Sequence, residues 1–282
     1  QDAQCVNNKM AKDGMNHKMI NGFALVTGAS SGIGLEFARQ LAEKGYPLII
    51  VSNEEKIADC AKQLSEKYGV TVHSLVRDLG KQTAARELYD YCHAQDWPVE
   101  ILVNNAGVYH DKDILDDSEA FTSLIMNLHM YTPAMLCYLF GQDMRSRGST
   151  PNQPCGNHAN GYILNVCSVT SKMAAQRLGT YGGTKAFLAH YTRALHIELR
   201  KYGDKVTNVS PGAVDTGLFN IKPWVTKAGK CLGIIVSPET LARRGLRAMF
   251  HGRSKVTVPA VFWHLLCGII LLIPTCMLRL IR

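Results

Sequence analysis

The chain has 282 residues, of which 46% are hydrophobic and 19% are charged, so it can bury a substantial core and is not a disordered protein. Its nine cysteines include no Cys-x-x-Cys pair, which argues against a zinc site or a disulfide framework and fits a reducing, cytoplasmic compartment. Residues 240–282 hold seven basic and no acidic side chains, so most of the net charge of +8 brackets one apolar run. This distribution favours a membrane surface over nucleic acid as a partner.

The two ends of the chain differ from its middle. Residues 1–19 are polar and lack the apolar stretch of a signal peptide, so we expect a disordered leader there. Residues 20–255 are expected to form one folded domain. Residues 256–282 are expected to form a separate apolar segment flanked by basic side chains.

Short apolar runs alternate with helical patterns through the middle of the chain. The runs are continuous, which is typical of parallel strands buried on both faces, and the helices between them would cover the sheet. We therefore predict an α/β fold with a doubly wound parallel sheet. The predicted strands are 23–26, 48–51, 70–76, 101–103, 162–166 and 205–209, and the predicted helices are 33–44, 55–67, 81–94, 118–145 and 180–202.

A glycine-rich turn follows the first predicted strand. Its glycines would let the backbone turn tightly and approach a pyrophosphate, while the next helix directs its N-terminal N–H groups at that anion. A glycine-rich string alone also suits an ordinary tight turn, but its position between a strand and a helix favours a dinucleotide. The candidate binding residues are Gly28, Ser30, Ser31, Gly32, Ile33 and Gly34.

Tyr181 and Lys185 are four residues apart in a predicted helix, so their side chains share one face. A free phenol has a pKa of about 10, and a neighbouring ammonium is expected to lower the pKa of Tyr181. Tyr181 could then exchange a proton with a carbonyl or hydroxyl oxygen. The same pair is also common on ordinary helix surfaces.

Ser168 follows a predicted strand and lies 13 residues before Tyr181. The carboxyl ends of parallel strands line the ligand crevice of such a sheet, so its hydroxyl could stabilise charge on a substrate oxygen. Taken alone, Ser168 could equally be a serine at the end of a strand.

Together these motifs resemble the short-chain dehydrogenase/reductase family, in the Thr-Gly-x-x-x-Gly-x-Gly turn and in the spacing of the Ser and the Tyr-x-x-x-Lys. The resemblance implies a Rossmann-like fold and an NAD(P)-dependent enzyme with Ser168, Tyr181 and Lys185 as catalytic residues. It also implies that Asn127 feeds a proton relay. Asn127 lies 41 residues before Ser168, a long interval for the family, which the inserted loop Ser149–Asn160 accounts for.

Three further segments resemble family motifs around the dinucleotide. Asn104–Gly107 is similar to the Asn-Asn-Ala-Gly segment, Asp78 and Leu79 to the adenine clamp, and Pro211–Thr216 to the segment beside the nicotinamide carboxamide. The contacts that the resemblance implies are Asp78, Leu79, Asn104, Ala106, Gly107, Tyr181, Lys185, Pro211, Gly212, Val214 and Thr216.

The end of the second predicted strand bears on the choice between NADP and NAD. An acidic residue there would bind the ribose 2′-hydroxyl of NAD, whereas an arginine would bind the 2′-phosphate of NADP. Ser52 stands where NAD-preferring relatives carry Asp, and Asn53 stands where NADP-preferring relatives often carry Arg. We expect NADP as the cofactor, with NAD as the alternative.

The resemblance and an apolar segment over residues 217–237 predict reduction of a ketone on a hydrophobic acyl, sphingoid or steroid substrate. Simple packing of that segment on the core is the other interpretation of its composition. We also expect a homo-oligomer. The alternative functions are a nucleotide-binding scaffold without activity and a membrane-tethered interaction protein.

Three interpretations of the C-terminal segment stay open. Pro259 and Pro274 leave 14 apolar-rich residues between them, whereas a spanning helix needs about 20. The segment could pack on the protein or a second copy, lie on a membrane surface, or span the bilayer. We expect peripheral contact with the cytoplasmic face of a membrane.

Overall fold

In a computed structural model of the chain, residues 22–147, 161–215 and 234–259 are described. The predicted leader, the inserted loop, Thr216, most of the apolar segment 217–237 and residues 260–282 lie outside these ranges.

The described residues form a seven-stranded parallel sheet with the strand order β3-β2-β1-β4-β5-β6-β7. The order reverses direction at β1, which places helices on both faces and confirms the predicted doubly wound sheet. The strands are β1 Phe23–Thr27, β2 Leu48–Ser52, β3 Val72–Val76, β4 Val99–Asn104, β5 Tyr162–Val166, β6 Lys205–Pro211 and β7 Lys255–Val258. The helices are α1 Gly32–Glu43, α2 Ile57–Tyr68, α3 Ala84–Ala94, α4 Glu119–Met126, α5 Thr132–Arg147, α6 Gly179–Leu199 and α7 Pro238–Phe250.

Alternate residues of each central strand face the two halves of the core. In β1, Ala24 and Val26 join the cluster that contains Phe37 of α1, whereas Leu25 joins the opposite cluster with Phe140 of α5. All five side chains are fully buried. Burial on both faces explains why the strands read as continuous apolar runs.

The helix predicted over 118–145 is interrupted. A π-helical turn, Asn127–Tyr131, separates α4 from α5, and the N–H of Thr132 bonds to the carbonyl of Asn127. Proline has no N–H, so Pro133 cannot donate to the carbonyl four residues earlier and the α-helical ladder cannot continue unbroken. Turns of this kind occur frequently at functional sites.

The helix α7 and the strand β7 were not predicted. Ser237 caps α7 by accepting from the N–H of Thr240 at 3.2 Å, and Pro238 occupies its first position. This strand crosses the predicted boundary between residues 255 and 256, because Val256 pairs with Val209 and Val258 pairs with Pro211 inside the sheet. The sequence KVTV of β7 did not indicate a strand, although its last two residues, Thr257 and Val258, are buried.

Within the described ranges, no helix combines the length and apolar character needed to cross a bilayer. The apolar run that begins at Ala260 lies outside those ranges.

Candidate active site

A cleft of about 460 Å³ lies at the carboxyl ends of the strands. It extends from the glycine-rich turn after β1 to the loops that follow β5 and β6. The predicted residues on its wall are Gly28, Ser30, Ser31, Gly32, Ile33, Ser52, Asn53, Asp78, Leu79, Ala106, Gly107, Ser168, Tyr181, Lys185, Pro211, Gly212 and Val214.

The glycine-rich turn has the geometry needed for close approach of a ligand. Gly28 and Gly32 have φ values of 66° and 56°, in the left-handed region that favours glycine. Gly34 instead packs against the turn itself, because a Cβ there would lie 2.1 Å from the carbonyl oxygen of Gly28. The Ser31 side chain does not accept a hydrogen bond from the first turn of α1. The first N–H groups of this helix therefore remain available to a ligand in the cleft.

Asn105 and Thr27 hold this turn to the end of β4. The Asn105 amide donates to the carbonyl oxygens of Thr27 and Gly28, each at 3.0 Å. The Thr27 hydroxyl in turn accepts from the backbone N–H groups of Asn105 and Ala106. The motif Asn104–Gly107 predicted contacts from Asn104 and Ala106 but not from Asn105, which lies between them.

Glu54 and Arg77, two charged residues that sequence reasoning missed, line the end of the cleft beside β2. The Ser30 hydroxyl donates to the Glu54 carboxylate, and Lys56 pairs with that carboxylate at 3.0 Å. The backbone N–H of Arg77 bonds to the Ser52 carbonyl at 2.8 Å, which brings Arg77 beside the end of β2. Position 52 therefore carries no acidic side chain, as predicted, but the acidic residue Glu54 lines the cleft two residues later.

Tyr181, Ser168 and Lys185 come together at the other end of the cleft, and all three are buried. Tyr181 and Ser168 are hydrogen-bonded. The Lys185 ammonium lies 5.7 Å from the centre of the Tyr181 ring and donates to the Val166 carbonyl at 2.9 Å. The three predicted catalytic residues therefore lie close together at one end of the cleft.

Burial dominates the proton affinities at this end of the cleft. Burial raises the pKa of Tyr181 above its ordinary value, and the hydrogen bond from Ser168 offsets this only in part. Burial also lowers the pKa of Lys185 to about 8. The expected lowering of the Tyr181 pKa is therefore not found, because removing the phenolate from water dominates and the Lys185 charge is not among the causes of the shift.

Three predicted residues lie behind the cleft wall. Asn104 is buried and donates to Asn165 at 2.8 Å, so it braces β4 against β5. Gly34 packs against the carbonyl of Gly28. Asn127 is half-buried at the start of the π-helical turn, and the cleft lining there consists of its neighbours Leu124 and Leu128. The relay role of Asn127 stays a prediction.

The residues of the cleft fit an extended dinucleotide. A Cβ on Gly28 would lie 2.7 Å from the Cα of Ala106, so only glycine lets the turn pack this closely against the loop after β4. The turn and the start of α1 would hold the pyrophosphate of the dinucleotide, and the wall beside β2 would hold its adenosine half. The nicotinamide ring would then lie beside Tyr181.

Known proteins similar in sequence to this chain include oxidoreductases. The profile of the family described as short chain dehydrogenase matches residues 22–224. A very-long-chain 3-oxoacyl-CoA reductase of Laccaria bicolor is 31% identical over 255 residues, covering 86% of this chain and 68% of the relative. An uncharacterized oxidoreductase of Staphylococcus saprophyticus is 30% identical over 211 residues, covering 71% and 82% respectively.

Solved structures match the fold. A short-chain dehydrogenase from Sphingobium yanoikuyae in complex with NADPH has a TM-score of 0.73 at 23% identity, covering 88% of this chain and 93% of that one. A 7beta-hydroxysteroid dehydrogenase has a TM-score of 0.74 at 20% identity, covering 84% and 87% respectively. At these identities the likeness shows the fold alone.

Proposed function

This chain belongs to the short-chain dehydrogenase family of NAD(P)-dependent enzymes, and we propose that it reduces a ketone on a hydrophobic substrate with NADPH. The observation that carries the proposal is the meeting of Ser168, Tyr181 and Lys185 at one end of a cleft that fits a dinucleotide. When bound, the dinucleotide supplies the hydride. The residues of the chain supply binding, orientation and the proton.

Ser168 is oriented to donate its hydroxyl proton. Its oxygen accepts from the Thr170 N–H at 3.2 Å and from the Thr170 hydroxyl at 2.9 Å. Because those two bonds use its lone pairs, its own proton is available to Tyr181 or to a substrate oxygen. A donor fixed in this way stabilises negative charge on the substrate oxygen as it develops.

Tyr181 is the proposed proton donor in reduction. Its raised pKa keeps the phenol protonated at neutral pH, which suits an acid that delivers a proton to an alkoxide. The buried Lys185 ammonium stands where it can stabilise the phenolate that remains. We propose Asn127 as part of the relay that returns a proton to this pair.

Two features of the cleft support NADP over NAD. The end of β2 carries Ser52 and Asn53 in place of a carboxylate, and Arg77, whose guanidinium packs over the Tyr91 ring, is a residue of the adjoining wall. The Glu54 carboxylate is already engaged by Ser30 and Lys56, which reduces its repulsion of a phosphate. Relatives of the same fold are known in complex with NADPH.

The substrate class is proposed from the relatives. Very-long-chain 3-oxoacyl-CoA reductases are among the similar proteins. We therefore propose a 3-oxoacyl chain as the first substrate to test. Contact of residues 260–282 with the cytoplasmic face of a membrane and assembly of a homo-oligomer belong to the same proposal.

A substrate screen tests the function. Purified protein is incubated with 3-oxoacyl, sphingoid and steroid ketones and with NADPH or NADH, and the corresponding alcohols are incubated with NADP or NAD, while nicotinamide absorbance is followed. We expect oxidation of NADPH with at least one lipid-like ketone, and none by the Tyr181→Phe variant. Tight nucleotide binding without turnover of any substrate would instead support the non-enzymatic scaffold.

A further inference from the structure

His129 lies directly behind the wall of the cleft, in the π-helical turn Asn127–Tyr131. Its side chain is 1% exposed. A Cβ placed on Gly107, a residue of the cleft wall, would come within 2.9 Å of the His129 Nε2 atom. The imidazole therefore packs against the protein side of the cleft wall, in the same turn as the proposed relay residue Asn127.

Both ring nitrogens of His129 are bonded to elements that form the site. The Val108 N–H donates to Nε2 at 2.9 Å, and Nδ1 lies 3.1 Å from the Thr184 hydroxyl. The Thr184 hydroxyl donates its only proton to the Tyr181 carbonyl at 2.8 Å, so Nδ1 must be the donor toward Thr184. These bonds require the neutral ring with its proton on Nδ1.

The surroundings of His129 keep it in that form. Burial and the nearby Lys185 ammonium both lower its pKa well below the ordinary value. Protonation would place an N–H at Nε2 against the Val108 N–H and remove that hydrogen bond.

Two aromatic side chains make edge contacts with the Tyr181 ring. The centre of the His129 ring lies 5.5 Å from that of Tyr181 at an interplanar angle of 80°. Tyr109 makes a similar edge contact at 5.5 Å and 81°. Edge contacts of this kind restrict a ring to one position in its pocket.

We propose that His129 is a positioning residue that holds the Tyr181 phenol at a fixed place relative to the cleft wall at Gly107 and Val108. It joins that wall to the first turns of α6 through Thr184, and it contacts the phenol ring itself. The inference rests on the proposed function, in which Tyr181 delivers the proton. A proton donor displaced by about 1 Å can lose about 10²-fold in rate.

Four variants separate the contacts of His129. In His129→Gln the amide oxygen can replace Nε2 as acceptor, in His129→Asn the amide can replace the Nδ1 donor, and His129→Leu can do neither. Thr184→Val removes the Thr184 hydroxyl. His196→Gln is the matched control, because His196 is a half-buried histidine of α6 that bonds to the Val206 carbonyl.

The first readout does not depend on turnover. In protein labelled with [¹³Cζ]tyrosine, the Tyr181 resonance is identified by its absence from Tyr181→Phe. We expect one sharp resonance in the wild type and in His196→Gln, and a broadened or split resonance in His129→Leu. One sharp Tyr181 resonance in all folded His129 variants would overturn the proposal, whether or not a substrate has been found.

The second readout is kinetic. We expect His129→Leu to lower kcat by about 10- to 100-fold with KM and the NADPH dissociation constant within about twofold of wild type. His129→Gln or His129→Asn should recover part of the loss, and adding Thr184→Val to His129→Leu should cost little more. Unchanged kcat or fully additive losses would overturn the proposal. If His129→Leu does not fold, the Gln, Asn and Thr184 variants give the same test.

Discussion

Thr170 donates two hydrogen bonds to the hydroxyl oxygen of Ser168, one from its backbone N–H at 3.2 Å and one from its side chain at 2.9 Å. The two residues lie at the start of the 3₁₀ turn that follows β5. The direction of the Ser168 proton therefore depends on a residue that is not itself part of the proposed acid/base group.

Thr170→Val should weaken this control while preserving side-chain shape. Without the Thr170 hydroxyl, the Ser168 oxygen regains one free lone pair and its proton can turn away from the substrate. We expect kcat to fall by about fivefold, consistent with the loss of about 1 kcal/mol in one hydrogen bond. Thr122→Val, in α4 and outside the cleft lining, is the matched control. Unchanged kcat would show that the Thr170 backbone N–H suffices.

Tyr181→Phe should abolish turnover and leave NADPH binding within about twofold. The substitution removes only the phenolic oxygen, and loss of a general acid costs about 10²- to 10⁴-fold. Tyr191→Phe is the control on the same helix, because Tyr191 bonds to the Ala134 carbonyl outside the cleft. Calorimetric NADPH titration and steady-state kinetics measure the two effects. A Tyr181→Phe enzyme with more than half of wild-type activity would exclude Tyr181 as the acid.

Arg77 and Asn53, beside the end of β2, are predicted to influence the preference between NADPH and NADH. Arg77→Gln should weaken NADPH binding relative to NADH by about 10- to 100-fold if the guanidinium meets the 2′-phosphate, since such a bond contributes about 1.5–3 kcal/mol. Arg86→Gln is a matched control, because both guanidinium groups lie 5.5 Å from a tyrosine ring. Asn53→Arg should shift the same ratio in the opposite direction.

A constant ratio of the NADPH and NADH dissociation constants in Arg77→Gln would remove Arg77 from the phosphate site. A constant ratio in Asn53→Arg would show that position 53 does not face the ribose.

Asp204 predicts an effect of pH on stability. Its side chain is buried, and burial raises its pKa from 3.8 to about 7, although the Arg147 charge and the Gly161 N–H oppose the shift. The folded state therefore binds this proton more tightly than the unfolded state, so stability falls as pH rises from about 4 to 7. At about 1.4 kcal/mol per pKa unit, the loss is at most about 4 kcal/mol.

Asp204→Asn should remove this loss. We expect the thermal midpoint to rise by about 5 °C at pH 8 and to change little at pH 4. Asp90→Asn, on the exposed face of α3, should leave the midpoint within about 1 °C at both pH values. An Asp204→Asn protein that is less stable than wild type at pH 8 would show that the ionised carboxylate is the stabilising form.

The sequence predicted those parts of the site that depend on local spacing. The turn Thr27–Gly34 and the Tyr181–Lys185 pair each lie within a few residues, so their geometry follows from one turn or one helix. Arg77 was missed because its approach depends on how β3 pairs with β2, and Glu54 because its bond to Ser30 depends on how β2 pairs with β1. His129 was missed because its bonds join residues 21 and 55 positions away.

Burial was the other quantity that the sequence could not supply. The spacing of Lys185 and Tyr181 correctly places the ammonium beside the phenol, but the pKa of Tyr181 depends mainly on how completely the fold excludes water from it. The strand β7 was missed for a related reason. Its residues 256–258 read as the start of the apolar C-terminal segment, and only the pairing with β6 assigns them to the sheet.

The segment after Pro259 predicts reversible binding to anionic membranes. Its apolar residues include Phe262 and Trp263, which suit the headgroup boundary, and basic residues flank it on both sides. Each basic residue near an anionic surface adds about 1 kcal/mol. In a sedimentation assay, the full chain should bind vesicles that contain anionic lipid and should bind neutral vesicles less.

The truncation that tests this prediction must begin at residue 260, because removing residues 256–258 would delete most of β7 and destabilise the sheet. Loss of sedimentation by the truncated protein, with NADPH binding intact, would assign membrane contact to the segment. Arg279→Gln combined with Arg282→Gln should reduce binding to anionic vesicles alone, since only the electrostatic part of the affinity is removed. Release of the full chain by salt or alkaline carbonate would indicate surface contact, whereas resistance to both would favour a spanning segment. A full-length protein that never sediments with anionic vesicles would favour packing of the segment on the protein or on a second copy.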